Sequence, residues 1–99
     1  MSLFCIIGFD GENAYEKRQE FLQPHLDALK AMNKAGRLFS AGPLMASQEN
    51  NEEYFGSVLI IDFENQQQAE NWFYKEPYYV SGVYKEITIK PYLDAMPYC

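Results

Sequence analysis

A chain of 99 residues, 47% hydrophobic, 16% aromatic and 22% charged, holds material for one packed core and not for two domains. Its net charge of −6, with no cluster of Lys or Arg, excludes the electrostatic footprint of a nucleic-acid binder. No run approaches the roughly 20 apolar residues of a membrane span, and the apolar N-terminus lacks the basic flank of a secretory signal. The expectation is therefore a soluble, cytoplasmic protein without a membrane partner.

In chain order, Leu3 to Phe9 is a short apolar run ended by Asp10-Gly11, which predicts a strand and a turn. Cys5 falls inside this strand and Cys99 is the last residue, a placement that argues against a structural disulfide. One histidine and two distant cysteines give no metal-ligand spacing, and no cofactor is expected. From Tyr15 to Ala35 the residues Leu22, His25, Leu26, Leu29 and Met32 recur at three- and four-residue steps, which predicts an amphipathic helix closed by Gly36. Pro24 interrupts it, because it removes the bond to the carbonyl of Glu20 and crowds the preceding turn. Either the helix kinks there, or it restarts with Gln23 near the cap and Pro24 as the first helical residue.

Arg37 to Met45 predicts a second strand, loosened at its far end by Gly42-Pro43. Gln48 to Glu53 is a polar, acidic loop, and Phe55 to Phe63 a third strand. Asn65 is a natural N-cap for a helix carrying Ala69, Trp72 and Phe73. Glu76-Pro77 takes Glu76 out of the helical region and opens a short turn or helix to Ser81-Gly82. Tyr84 to Tyr92 closes as a fourth strand, and the tail from Leu93 to Cys99 is aromatic but irregular.

The order βαββαβ is that of a ferredoxin-like α+β fold, a four-stranded antiparallel sheet with both helices on one face. In the third strand Leu59, Ile61 and Phe63 alternate with Val58 and Ile60, so both faces of the sheet are apolar. Something must cover the second face, and a second copy of the chain is the simplest cover. The expectation is a homodimer of the dimeric α/β barrel type.

His25 is the one histidine, the residue type most often used as a general acid or base. It shares a helical stripe with Arg18, Leu22 and Leu29, which suits either a packed histidine bonded to a backbone carbonyl or an acid/base group facing a cleft. The second reading needs an acceptor to fix the ring. Asp27 points to another face; Glu76, Asp62 and Asp10 come from other elements, and spacing does not choose among them. Ser40-Ala41-Gly42-Pro43 suits either an anion-holding turn or a plain strand end. Tyr78, Tyr79 and Tyr84 suit either a pocket lining or core packing.

Three pieces, EKRQEFLQPHLDAL at 16 to 29, AGRLFSAGPL at 35 to 44 and EPYYVSGVYKEITIKPY at 76 to 92, together resemble the YciI-like (YCII-related) family of small bacterial proteins. The likeness runs nearly end to end and makes the chain a single domain over residues 1–99. It implies a dimeric ferredoxin-like fold and a site pairing His25 with an aspartate of an Asp-Pro-Tyr motif. Here that motif reads Glu76-Pro77-Tyr78, a carboxylate with one more methylene. Arg18 matches a family arginine, and either helps hold a substrate carboxylate or phenolate or is a surface arginine paired with a helix neighbour; the resemblance places Ser40, Gly42, Pro43 and Tyr78 around the substrate.

Relatives of the family are implicated in dehydrohalogenation of a chlorinated hydroxyquinol, and the structurally similar muconolactone isomerases move protons on lactone acids. Two functions follow as expectations. One is a cofactor-free acid/base enzyme of lyase, isomerase or dehydrohalogenase type, acting on a small, anionic organic acid or aromatic, with His25 and Glu76 as its catalytic pair. The other is a non-catalytic dimeric domain that binds a small ligand or serves as an accessory. Nothing in the sequence marks the oxygen chemistry of monooxygenases of related barrel shape.

Overall fold

The computed structural model describes residues 2–49 and 53–96. Cys99, the end of the tail and the centre of the acidic loop lie outside the described residues. The elements are β1 (Ser2–Asp10), α1 (Ala14–Glu20), α2 (Leu22–Lys34), β2 (Leu38–Met45), β3 (Tyr54–Phe63), α3 (Gln66–Phe73), α4 (Pro77–Val80) and β4 (Tyr84–Pro91). This is the ferredoxin-like βαββαβ fold, its antiparallel strands in the order β2-β3-β1-β4.

The helix expected over Tyr15 to Ala35 is two helices, and its break lies earlier than Pro24. Phe21 leaves the helical region at φ −104°, ψ 15°, and α2 restarts at Leu22 rather than at Pro24. Proline explains the position. In the third place of α2 its missing N–H is one of those a helix start leaves unpaired anyway. The chain stays continuous through the joint, since Phe21 donates to the Lys17 carbonyl at 2.9 Å and His25 to the Phe21 carbonyl at 3.1 Å.

The far end of α2 closes as its glycine predicts. Gly36 adopts φ +74°, Arg37 donates to the Met32 carbonyl at 2.9 Å, and Gly36 donates to Asn33 at 3.0 Å, a Schellman arrangement. The Asn65 side chain accepts from the Gln68 N–H at 2.9 Å and caps α3.

Strand alternation sorts the side chains into two layers. Phe4 and Ile6 of β1, Leu59, Ile61 and Phe63 of β3 and Ile89 of β4 meet Leu29 and Met32 of α2 and Ala69 and Phe73 of α3 in one buried core. On the other face Leu3, Cys5, Ile7, Phe9, Val58 and Ile60 are half-buried. Gly42-Pro43 does not loosen β2 as expected. The ladder runs from Ser40 to Leu44 through both residues, with irregularities between Leu38 and Ser40 and between Leu44 and Met45. Pro43 is accommodated because β2 is an edge strand, where one side of the ladder is unpaired in any case.

At the β1–β3 seam a Cβ added to Gly56 would stand 2.4 Å from the carbonyl oxygen of Gly8, a backbone atom that cannot step aside. Gly56→Ala is therefore expected to push the two central strands apart and lower stability by about 1–3 kcal/mol, the range of core overpacking. The midpoint of urea unfolding reads this directly.

Candidate active site

The cleft lies between the Arg18–Leu29 face of the helices and the β2 edge of the sheet. It encloses about 240 Å³ and is lined by Arg18, Leu22, His25, Leu26 and Leu29 from the helices, Ala41, Gly42 and Pro43 from β2, Tyr54, Ser57 and Leu59 from β3, and Tyr78 from α4. Its walls are mostly apolar, with a few polar groups converging at one end, the usual make-up of a small-molecule site.

His25 is buried, and its ring is fixed in two ways. Nδ1 is bonded to Oε1 of Glu76, whose side chain is completely buried. The Tyr78 ring lies parallel to the imidazole, with centroids 3.7 Å apart and an interplanar angle of 2°. The carboxylate sets the rotation of the ring and the phenol sets its plane. Nε2 has no partner among the described residues and is not sealed in, so it is the nitrogen presented to the cleft.

The positions of Glu76 and Tyr78 follow from local sequence. Glu76 is extended, at φ −69° and ψ 135°, as a residue before proline prefers, and Pro77 starts α4. The second oxygen of Glu76, Oε2, accepts from the Tyr78 N–H at 3.0 Å. The extra methylene relative to aspartate therefore does not prevent capping, and one carboxylate serves both the helix start and the histidine. The other expected acceptors are occupied elsewhere. Asp27 accepts from Gln23, Asp10 holds Arg18, and Asp62 lies on the opposite face of the sheet.

Arg18 is buried rather than a surface residue. Its Nε and Nη2 each donate to Asp10 at 2.8 Å, and Nη2 also donates to the Gly56 carbonyl and the Ser57 hydroxyl, both at 2.9 Å. Burial works against its charge, but the hydrogen bond and the opposite charge of Asp10 prevail and leave its pKa raised. Nη1 has no partner among the described residues and is not sealed in. Tyr78 donates its hydroxyl to the Arg18 carbonyl at 3.1 Å, and the guanidinium lies 5.3 Å from the Tyr78 ring centre and 5.4 Å from that of Tyr54.

Of the residues singled out in the sequence, Arg18, His25, Gly42, Pro43 and Tyr78 line this cleft, with Glu76 directly behind His25. Ser40 does not line it, which corrects its placement as pocket wall. It pairs with Ile60, while its neighbour Ala41 pairs with Leu59 on the cleft side, so the period of two turns Ser40 to the opposite face. Tyr79 packs on Phe73 and Tyr74, away from the cleft. Sequence reasoning did not reach Tyr54 and Ser57. The signal for Ser57 was a polar residue opening the row Ser57, Leu59, Ile61, Phe63, all on the core face.

No group of three or more His, Cys, Asp or Glu side chains suited to a metal ion occurs among the described residues. No helix among them is long and apolar enough to cross a membrane.

Tyr84 sits beside Arg18 with its hydroxyl buried and without a hydrogen-bond partner of good geometry among the described residues. The nearby Ser57 hydroxyl, which accepts from Arg18, favours the ionised phenol, but less than burial disfavours it. Burial, chiefly, pushes the Tyr84 phenol well above the ordinary value of 10.0. Because the folded chain holds this proton more tightly than the unfolded one, its contribution is complete below pH 10 and is lost as pH rises above it. Tyr84→Phe should flatten the alkaline fall in stability by up to about 1.4 kcal/mol per pH unit. At pH 7 it should leave stability within about 0.5 kcal/mol of wild type or higher, since no hydrogen bond is lost. Denaturant midpoints from pH 7 to 11 test both.

The sequence profile of the YCII-related domain matches residues 2–93. An uncharacterized protein of Haemophilus influenzae is 36% identical over 92 residues, covering 90% of this chain and 94% of that protein. Protein YciI of Escherichia coli is 33% identical over 93 residues, covering 91% and 95%. Among solved structures, the 5-chloro-2-hydroxyhydroquinone dehydrochlorinase of Burkholderia phenoliruptrix AC1100, in complex with 2,5-dihydroxybenzoquinone, superposes with a TM-score of 0.82 at 19% identity, covering 92% and 93% of the two chains. An uncharacterized NIPSNAP domain protein of Burkholderia xenovorans shares the fold at a TM-score of 0.53 and 10% identity.

Proposed function

The chain belongs to the YCII-related family, and from that premise we propose that it is an acid/base enzyme that removes or relocates a proton on a small oxygenated organic acid or aromatic ring. The observation that carries this reading is the pair of free nitrogens opening on one cleft, His25 Nε2 and Arg18 Nη1, each held by a buried carboxylate on its other side.

The chemistry follows from that geometry. Neutral His25, with its Nδ1 proton held by Glu76, presents the Nε2 lone pair and takes a proton from substrate carbon or hydroxyl. The electron pair left behind moves onto substrate oxygen, where the Arg18 Nη1 protons meet the developing negative charge. Glu76 stabilises the imidazolium so formed without taking its proton. Returning the proton at another position gives isomerisation; loss of a leaving group with its electron pair gives elimination. The dehydrochlorinase with the same fold acts on a small chlorinated, polyhydroxylated ring. An anionic ligand is part of this proposal, because Arg18 has a charge to offer and the apolar walls have none. Gly42, Pro43 and Tyr78 complete the surface around such a ligand.

A thermal-shift screen of small carboxylates, lactones and halogenated phenols is expected to give hits that His25→Ala loses. A hit turned over by the wild type should slow by about 10²–10⁴-fold in His25→Gln, the range of a lost acid/base group. A ligand bound equally well by His25→Ala, with no turnover in the wild type, would instead mark the domain as a non-catalytic binder.

The second face of the sheet, with Ile7, Phe9, Val58 and Ile60 at its middle, belongs in this proposal to a second copy of the chain. Light scattering at micromolar concentration should give twice the 11.5 kDa chain mass. A monodisperse monomer would sink the dimer.

A further inference from the structure

A second cleft, of about 330 Å³, lies on the other side of Glu76, between α2 and α3. Met32, Phe63 and Trp72 are among its apolar lining, Gln68 and Asn71 bring side-chain amides, and Arg37 and Lys75 bring two positive charges. We propose that this groove is a separate binding site for a small planar organic anion, an aromatic carboxylate in chemical class.

Three observations carry the inference. The chain as a whole is acidic, with 14 Asp and Glu against 8 Lys and Arg, yet among the described residues the only carboxylate lining this groove is Glu76. Glu76 is not available to either cation, because its two oxygens are engaged by His25 and by the Tyr78 N–H. The cations themselves keep capacity to bind. Arg37 donates its Nε to the Asp62 carbonyl at 2.9 Å and lies 5.0 Å from the Phe63 ring centre, leaving its terminal nitrogens without a partner among the described residues. Lys75 is exposed, and its ammonium likewise has none.

Two unpaired cations over an aromatic floor match a flat body with a carboxylate at its edge. A neutral ligand would leave both charges unanswered, and an aliphatic one would not use the half-buried Trp72 face. The volume suits a ligand of that size. None of this draws on the free nitrogen of His25, so the groove stands or falls apart from the proton-transfer reading.

Trp72 is the only tryptophan of the chain and lines this groove, so its fluorescence reports most directly on binding there. Titrating the wild-type protein with benzoate, excited at the red edge of indole absorption, should give a saturable change in emission. Benzamide, the same shape without the charge, should bind about tenfold more weakly or worse, as should benzoate to Lys75→Glu. Lys75 is exposed, so this variant is expected to fold, and circular dichroism checks that it does. Leu22→Glu, which sets a like charge at the exposed mouth of the His25 cleft, should leave benzoate affinity within about twofold of wild type. Three results would overturn the proposal: no saturable change, equal response to benzamide, or loss of the signal in Leu22→Glu, which would place the anion in the other cleft.

Discussion

The Glu76 carboxylate is used twice, and the organisation of the site depends on that. One oxygen receives the Tyr78 N–H and so starts α4; the other holds His25 Nδ1. Starting α4 at Pro77 is also what lays the Tyr78 ring flat on the imidazole. Three consecutive residues, Glu76-Pro77-Tyr78, therefore set rotation, plane and exposure of a ring carried by a different helix. A fully buried carboxylate is tolerated only when its oxygens are satisfied, and both partners here belong to the site itself. Structure and chemistry share the same two bonds.

A second buried pair does for Arg18 what Glu76 does for His25. Asp10 ends β1 and clamps Arg18 through Nε and Nη2, while the Gly56 carbonyl and Ser57 hydroxyl on β3 take the remaining reach of Nη2. Truncating either member would leave a charge uncompensated in a poorly solvated place, a loss of several kcal/mol in comparable pairs. Nη1 is left without a partner among the described residues. Arg18 and His25 thus both reach the cleft from buried supports.

Periodicity carried most of the fold. The apolar alternation in β3, the stripe on α2, Gly36 and Asn65 each act through local backbone geometry, and local geometry is what a sequence displays. The helix break at Phe21 was less legible, because Pro24 announces a disruption but its steric demand is met by moving the boundary upstream. In the site, His25 and Glu76 stood out as residue types, but their bond joins α2 to the start of α4 and no spacing rule encodes it. Ser40 was misplaced because a motif read along the chain ignores which side of a strand each residue faces. Along the sequence Asp10 is as eligible a partner for the histidine as Glu76, whereas the folded chain gives it to Arg18.

The joint at Phe21 has a consequence for how such a site can diversify. On one unbroken helix Arg18 and His25 would stand about two turns, roughly 10 Å, apart along a single axis. Because the chain leaves and re-enters the helix between them, the two residues ride on separate segments, α1 and α2, with their own anchors at Asp10 and Glu76. A change in the angle at Phe21 would alter the gap between Arg18 and His25 while leaving both clamps intact. The width of the cleft between them is thus open to adjustment by substitutions at a joint that touches neither side chain.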